Sequence, residues 1–250
     1  MSRELEGRVA VVTGASRNIG RAIAVALGRA GASVVVNAKS SAELAEETAA
    51  AVRDADGEAF VHLADVSNPK AGAGLIAAAV NRFGRLDILV NNAAIRRETA
   101  FENLDWPEWR DVVSVILDGA YISSHAAVPH LKQSGAGRIV NIGGMSAHTG
   151  ASGRAHVIAA KAGLVGLTRA LAHELAPAGI TVNCVVPGLI ETVRGPSAPA
   201  IPSHRAAHRK LPGRSGTPED VAALVRFLCG SDARYISGQT IHTNGGAFMP

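Results

Sequence analysis

Two hydrophobic patterns alternate along this chain. Short apolar runs recur, and the longer segments between them repeat apolar positions with helical spacing. The first run, residues 9–12, reads Val-Ala-Val-Val and ends at Thr13-Gly14, which is typical of a buried parallel strand. Further strands are predicted at residues 33–37, 59–63, 86–90, 138–142, 180–185 and 239–243. Helices are predicted over residues 19–29, 42–55, 106–131 and 154–175, after Pro69, and from Thr217.

This alternation predicts the fold class. Parallel strands need a crossover connection between them, which is usually a helix. The prediction is therefore a single α/β domain over residues 1–250, with a doubly wound, Rossmann-like parallel sheet and helices on both faces. Such sheets bind ligands at the carboxyl ends of their strands, so functional residues are expected in the turns that follow the strands.

Composition narrows the class of protein without changing that fold. Of the 250 residues, 47% are hydrophobic and 18% are charged, and the net charge is +4. These values are typical of a globular protein, and no Lys/Arg run indicates nucleic acid. No apolar run predicts a membrane span, and the charged first residues do not resemble a signal peptide, so the cytoplasm is the expected location. Cys184 and Cys229 are expected to be buried free thiols, and no metal site is predicted.

The turn after the first strand carries the clearest chemical signal. Residues 13–20 read Thr-Gly-Ala-Ser-Arg-Asn-Ile-Gly and lead into the first predicted helix. A glycine-rich turn in this position lets backbone N–H groups approach a pyrophosphate at a helix N-terminus. Gly14 permits the tight turn and Gly20 permits close packing of the helix. This strand–turn–helix context predicts a dinucleotide site.

Several motifs together resemble the short-chain dehydrogenase/reductase family, most closely its 3-oxoacyl-carrier-protein-reductase-like group. The glycine-rich turn is similar to the family's TGxxxGxG motif, Asp65-Val66 to its adenine-contacting pair, and residues 91–94 to its NNAG motif. Residues 187–192 resemble its PGxIxT segment, which holds the nicotinamide carboxamide, and residues 237–240 and 244–246 resemble its C-terminal pattern. The resemblance implies a nicotinamide cofactor, a small-molecule substrate, and a homotetramer or dimer formed through the long helices. The implied cofactor-binding residues are Gly14, Ser16, Arg17, Asn18, Ile19, Gly20, Asn37, Lys39, Asp65, Val66, Asn92, Ala93, Lys161, Pro187, Gly188, Ile190 and Thr192.

Two details modify the cofactor prediction. Asn18 stands where the family usually has glycine, and asparagine tolerates left-handed backbone better than most residues. No acid follows the second strand, which reads Asn37-Ala38-Lys39 at its end. An acid there would bind the ribose hydroxyls and repel a 2′-phosphate, whereas Arg17 and Lys39 suit a phosphate. NADP(H) is therefore favoured over NAD(H).

The catalytic residues that the resemblance implies are mostly absent. The family uses a tyrosine as proton donor, a lysine four residues later, a serine that orients the substrate and an asparagine that supports a water chain. Lys161 matches the lysine, but the tyrosine, serine and asparagine positions hold Val157, Gly144 and Ile116. No gap is needed in this stretch. The only tyrosines, Tyr121 and Tyr235, are expected to pack in the core or at a subunit contact.

Other groups near the same sheet edge are candidates for the missing chemistry. Lys161, His156, His148 and Ser146 are the candidate catalytic residues, with the histidines and the serine on or beside the loop after the fifth strand. Residues 191–212 are rich in proline and are predicted to form a mobile substrate lid. Clustered basic side chains favour an anionic substrate, such as a carboxylate or phosphate; they are Arg96, Arg97, Arg154, Arg194, His204, Arg205, His208, Arg209 and Lys210.

Three functions stay open on the sequence alone. The first is an NADP(H)-dependent oxidoreductase on a carbonyl or hydroxyl substrate, with a non-standard proton donor. The second is a non-redox enzyme on the same fold, an isomerase, lyase or hydrolase. The third is a catalytically inactive homologue that binds nucleotide as a sensor or scaffold. The fold does not choose between them, because function depends on the site.

Overall fold

Seven parallel strands form the central sheet of the protein, whose computed structural model describes residues 3–193 and 213–250. The strand order is β3-β2-β1-β4-β5-β6-β7, with every neighbouring pair parallel. This order confirms the predicted doubly wound sheet. From β1 to β3 the strands are added on one side of β1, and from β4 to β7 they are added on its other side. The strands are β1 (Val9–Val12), β2 (Ser33–Ala38), β3 (Glu58–Leu63), β4 (Ile88–Asn91), β5 (Arg138–Ile142), β6 (Thr181–Pro187) and β7 (Thr240–Thr243).

Eight α-helices are described around this sheet. They are α1 (Asn18–Arg29), α2 (Ala42–Arg53), α3 (Pro69–Phe83), α4 (Trp106–Val113), α5 (Gly119–Ser134), α6 (Ser146–Thr149), α7 (Ala155–Leu175) and α8 (Pro218–Cys229). The predicted helix from Thr217 is confirmed as α8, where the Asp220 carboxylate accepts a hydrogen bond of 2.8 Å from the Thr217 N–H.

Both faces of the sheet are covered, which explains why its strands are apolar throughout. Alternate residues of β1 point to opposite faces. Ala10 and Val12 pack into one core cluster with α1 and α8, and Val9 and Val11 pack into a second cluster with α3 and α5. The predicted burial of Cys184 and Cys229 is also confirmed.

The structure corrects three details of the sequence prediction. The long helix predicted over residues 106–131 contains a π-helical segment, Ser114–Asp118, between α4 and α5. Ser146 and His148 lie on the one-turn helix α6, where a loop was predicted. Of the two alternatives for the tyrosines, core packing is wrong, because Tyr121 and Tyr235 are both exposed in the described chain, and a subunit contact stays a prediction.

Two helical stretches are long and apolar enough to cross a membrane by length and composition alone. They are Trp106–Ser134 and Ala155–Ala178. Each supplies buried residues to the clusters beside the sheet, which accounts for its apolar composition without a membrane. Of the predicted lid, only residues 191–193 are described. The rest of that prediction, with Arg194, His204, Arg205, His208, Arg209 and Lys210, lies outside the described residues.

Candidate cofactor cleft and active site

The glycine-rich turn after β1 is shaped by contacts that only glycine allows. Gly14 has a φ of +60°, and a Cβ there would lie 2.8 Å from the Ala93 Cα. A Cβ on Gly20 would collide with the Gly14 carbonyl oxygen and lie 2.6 Å from Asn92 Nδ2. The backbone of the turn therefore packs closely against the residues that follow β4 and against the first turn of α1.

Two asparagine side chains hold the turn through hydrogen bonds to its backbone. Asn92 Nδ2 donates to the carbonyl oxygens of Thr13 and Gly14, each at 2.9 Å. Asn37 Oδ1 accepts from the Gly14 N–H at 3.2 Å, and its Nδ2 donates to the Ala64 oxygen at 3.1 Å. Since both side chains bind the backbone, their place in the cleft is to hold the turn in shape.

The N-terminus of α1 opens onto this turn without a cap. Arg17 occupies the N-cap position with no side-chain cap hydrogen bond, and the first turn of the helix contains no acid. A helix start with uncapped N–H groups and no acid suits an anion. Asn18 has the left-handed φ of 52° that the sequence comparison anticipated. The residues present therefore fit the pyrophosphate of a dinucleotide.

The far end of the cleft carries a charged pair. Lys39 Nζ lies 2.7 Å from Asp65 Oδ2, across the ends of β2 and β3. Desolvation acts to raise the pKa of Asp65, but hydrogen bonds from Lys39 and Ser67 outweigh it and lower that pKa. The same hydrogen bond raises the pKa of Lys39. The Lys39 side chain is 65% exposed, so its ammonium stays accessible to a ligand.

Lys161 reaches the end of β5 from the second turn of α7. Its side chain is buried, and its Nζ donates a hydrogen bond to the Ile142 carbonyl oxygen. Burial lowers the pKa of this ammonium to about 8; the nearby Cys184 opposes that change and Arg96 adds to it. A lysine with this pKa holds and releases its proton near neutral pH.

The positions that the family gives to tyrosine and asparagine lie in one apolar cluster. Val157 and Ile116 pack together with Val112, Val113 and Leu164. Ile116 lies in the π-helical segment Ser114–Asp118, and such segments are frequent at functional sites. Positions 116 and 157 therefore contribute apolar packing, with no polar side chain at either one.

The serine position, in contrast, is open. A Cβ on Gly144 would meet only the Lys161 Cγ, at an ordinary 3.9 Å. The space beside Lys161 is therefore lined by backbone at position 144 and not by a hydroxyl.

The two candidate histidines pack against other side chains. His156 is fully buried with its Nε2 3.4 Å from Glu108 Oε1 of α4, and Glu108 in turn accepts a 2.7 Å hydrogen bond from Thr99 Oγ1. His148 packs its ring 4.7 Å from that of His242 and 5.9 Å from that of Phe248. Burial, and then His148, lower the pKa of His242. Ser146 begins α6. Of the four candidates, Lys161 is the one whose side chain comes within 4 Å of the Cβ position of residue 144.

Most of the described basic side chains near this edge are paired. Arg97 Nη2 lies 2.7 Å from Asp111, and Arg154 Nε lies 3.5 Å from Glu98. Arg96 is close enough to Lys161 to affect its pKa. The part of the chain that the structure describes contains no group of three metal-ligating side chains.

Comparison with known proteins agrees with this architecture. A family model described as Enoyl-(Acyl carrier protein) reductase matches residues 14–247. The chain is 40% identical to the 3-oxoacyl-acyl-carrier-protein reductase FabG of Vibrio cholerae over 247 residues, 98% of this chain and 99% of that one. The chain belongs to the short-chain dehydrogenase/reductase family.

Other relatives include an uncharacterized oxidoreductase of Methylorubrum extorquens, 40% identical over 97% of this chain and 98% of that one. Among solved structures, a short chain dehydrogenase of Burkholderia cenocepacia in complex with NADP is 38% identical, with a TM-score of 0.90 over 98% of this chain and 99% of that one. A putative short-chain alcohol dehydrogenase of Sinorhizobium meliloti has a TM-score of 0.91 at 36% identity, over 99% and 98% of the two chains. The related proteins are thus named as oxidoreductases.

One contact in the cleft had no signal in the sequence. The Asn18 side chain binds the backbone of Val193, which is 175 residues away along the chain. Sequence spacing predicts the turn and the PGxIxT segment separately. It does not show that a side chain of one reaches the other.

Proposed function

We propose that the protein is an NADP(H)-dependent oxidoreductase that interconverts a carbonyl and a hydroxyl group, with Lys161 as the proton donor. The observation that carries this proposal is a buried amine with a pKa of about 8 beside an intact dinucleotide cleft. A general acid works best when its pKa lies near the working pH, and burial lowers the pKa of a lysine into this range.

The residues that would hold the cofactor are those of the cleft. The turn from Gly14 to Gly20 and the N-terminus of α1 suit the pyrophosphate, and Thr192 with Pro187–Ile190 suits the nicotinamide end by family resemblance. When bound, the cofactor supplies or accepts the electrons of the redox step. Every other requirement of the reaction has to come from the side chains of this chain.

Lys161 meets the main requirement, which is a proton at the substrate oxygen. Reducing a carbonyl places negative charge on that oxygen, and the Lys161 ammonium stabilises this charge and transfers its proton. In the oxidative direction the neutral amine accepts the proton of the hydroxyl. Without tyrosine at position 157, no side chain of the family pattern stands between this lysine and the substrate space beside Gly144.

The preference for NADP(H) rests on the adenosine end. β2 ends at Ala38 and is followed by Lys39, so no acid repels a 2′-phosphate there. Lys39 is exposed and pairs with Asp65, from which it can turn to a phosphate, and Arg17 is exposed on the neighbouring turn. The NADP complex of the Burkholderia cenocepacia relative supports this choice.

The family resemblance also supports a small-molecule substrate and a homotetrameric or dimeric assembly through α4, α5 and α7. The basic side chains near the carboxyl edge of the sheet favour an anionic group on that substrate. A cytoplasmic location, with neither nucleic acid nor membrane as a partner, completes the proposal.

Nucleotide titration followed by turnover tests this function. Calorimetry with NADPH, NADP⁺, NADH and NAD⁺ in parallel should give the tightest binding for the phosphorylated pair. Absorbance of the reduced nicotinamide is then followed over a panel of ketones and β-ketoacyl thioesters. Turnover should be lost in Lys161→Ala and kept in Lys132→Ala, a control at an exposed position of α5.

A nucleotide-binding protein without catalysis is the second candidate function. The apolar packing of Ile116 and Val157 favours it, because the family's polar relay has been replaced. Tight NADPH binding with no turnover on any carbonyl would support this candidate, or the non-redox enzyme, over the oxidoreductase.

A further inference from the structure

Asn18 joins the two walls of the cofactor cleft. Its Nδ2 donates to the Val193 carbonyl oxygen at 3.0 Å, and its Oδ1 accepts from the Val193 N–H at 2.9 Å. A single side-chain amide thus satisfies both backbone groups of one residue. We call this pair of hydrogen bonds the Asn18–Val193 strap.

The strap crosses a wide gap in the fold. Asn18 follows β1, and Val193 follows β6, and β4 and β5 lie between these strands. At the usual spacing of parallel strands, β1 and β6 are about 14 Å apart. The two loops therefore lean over the ends of β4 and β5 to meet, and the strap is the place where they touch.

Thr192 is fixed between this strap and a second anchor. The Glu191 N–H donates to the Gly216 oxygen at 2.8 Å, and the Gly216 N–H donates to the Leu189 oxygen at 3.1 Å. These bonds hold the segment just before Thr192, and the strap holds the residue just after it. Both backbone neighbours of Thr192 are thus tied to other parts of the structure.

The residue type at position 18 makes the strap possible. The backbone there has a φ of 52°, which glycine adopts freely and asparagine adopts more readily than most residues. Glycine, the usual residue of the family, offers no side chain and could not make either bond. Asparagine is the side chain that tolerates this backbone and also presents one donor and one acceptor on the same plane.

We propose that Asn18 is a positioning residue, which through the Asn18–Val193 strap holds Thr192 in place for the nicotinamide half of the cofactor before the cofactor binds. The inference rests on the proposed function, since it takes the nicotinamide to be the ligand of Thr192. Its physical basis is that ordering a loop in advance lowers the entropy cost of binding. The adenosine half binds at the other end of the cleft and gains nothing from the strap.

Hydrogen–deuterium exchange on the nucleotide-free protein tests the strap itself. Asn18→Gly keeps the left-handed backbone and removes both bonds, so the Val193 amide should exchange about three- to tenfold faster. Asn18→Asp keeps the acceptor and loses the donor. The Val193 amide of this variant should exchange at a rate between those of the wild type and Asn18→Gly. Asn68→Gly is the matched control, because Asn68 also accepts a backbone hydrogen bond but caps α3. It should lower stability and leave Val193 unchanged.

Two ligands then test the positioning role. In Asn18→Gly, the Kd of NADPH should rise about three- to tenfold, while the Kd of adenosine 2′,5′-bisphosphate, which lacks the nicotinamide, should change less than about twofold. Unchanged exchange at Val193 would refute the strap. Faster exchange with equal effects on both ligands would refute the positioning role. If neither ligand binds the wild-type protein, the proposed function fails, and the exchange rates still decide whether the strap exists.

Discussion

Replacing Lys161 by methionine should make the protein more stable at neutral pH and less active. In the native state, burial lowers the pKa of this ammonium from 10.5 to about 8. At about 1.4 kcal/mol per pH unit, keeping the buried amine protonated at pH 7 costs about 3 kcal/mol. Methionine removes this cost and loses the hydrogen bond to Ile142, worth about 1 kcal/mol. The net gain is about 2 kcal/mol, or about 4–8 °C in Tm for a chain of this length.

The stability advantage of Lys161→Met over the wild type should decrease as pH rises. Between about pH 8 and 10.5, the unfolded state binds the lysine proton and the native state does not, so wild-type stability rises with pH in this window. Lys161→Met lacks this rise, and its advantage should shrink as pH increases. Shared groups that do not interact with Lys161 cancel in the difference; Cys184 is the exception, because burial raises the pKa of its thiol and Lys161 opposes that rise.

Thermal and urea unfolding of both proteins, at about pH 7 and about pH 10, measures this advantage. Lys132→Met, at an exposed position of α5, should shift stability by no more than about 0.5 kcal/mol at either pH. A Lys161→Met protein that is less stable than wild type at pH 7, or an advantage that does not change with pH, would refute the reasoning.

Three further predictions concern the cleft and the active site. Gly20→Ala should destabilise the protein by about 1–3 kcal/mol and weaken nucleotide binding, because its Cβ collides with a backbone carbonyl; Gly74→Ala, with nothing within 4 Å, should be neutral or stabilising in unfolding experiments. Lys39→Ala should reduce the preference for NADPH over NADH by about tenfold in calorimetry, and an unchanged ratio would contradict the phosphate role. Gly144→Ser with Val157→Tyr should change the rate of carbonyl reduction by less than about tenfold, because Lys161 already serves as the general acid, and a gain of about 10²–10⁴ would contradict that role.

The fold could be predicted from the sequence because its signals are local. Each strand is a short apolar run, and each helix repeats its apolar positions, so the alternation alone implied a parallel sheet. Gly14 and Gly20 could be interpreted in the same way, since a turn between a strand and a helix has a known use. The left-handed backbone found at Asn18 is one that asparagine was expected from the sequence to tolerate.

The active site was harder to predict from the sequence, because it depends on the directions of side chains and not on the spacing of residues. His156 is next to the tyrosine position in sequence, but one helical residue turns the side chain by about 100°, and its ring lies against Glu108. His148 was expected at the nicotinamide edge, and its ring packs against His242, on a strand nearly 100 residues later. The sequence also shows nothing of the pKa of Lys161, which depends on burial by residues from several elements.

The measurement that tests the central claim most directly is the pH dependence of kcat/KM for carbonyl reduction with NADPH. If Lys161 donates the proton, the reduction rate should be constant at low pH and fall about tenfold per pH unit above about pH 8, as the ammonium is lost. Lys161→Arg, which keeps the charge and does not release its proton, should be inactive across the range. A rate that stays level through pH 8 and beyond, or a Lys161→Arg protein that keeps wild-type activity, would contradict the account.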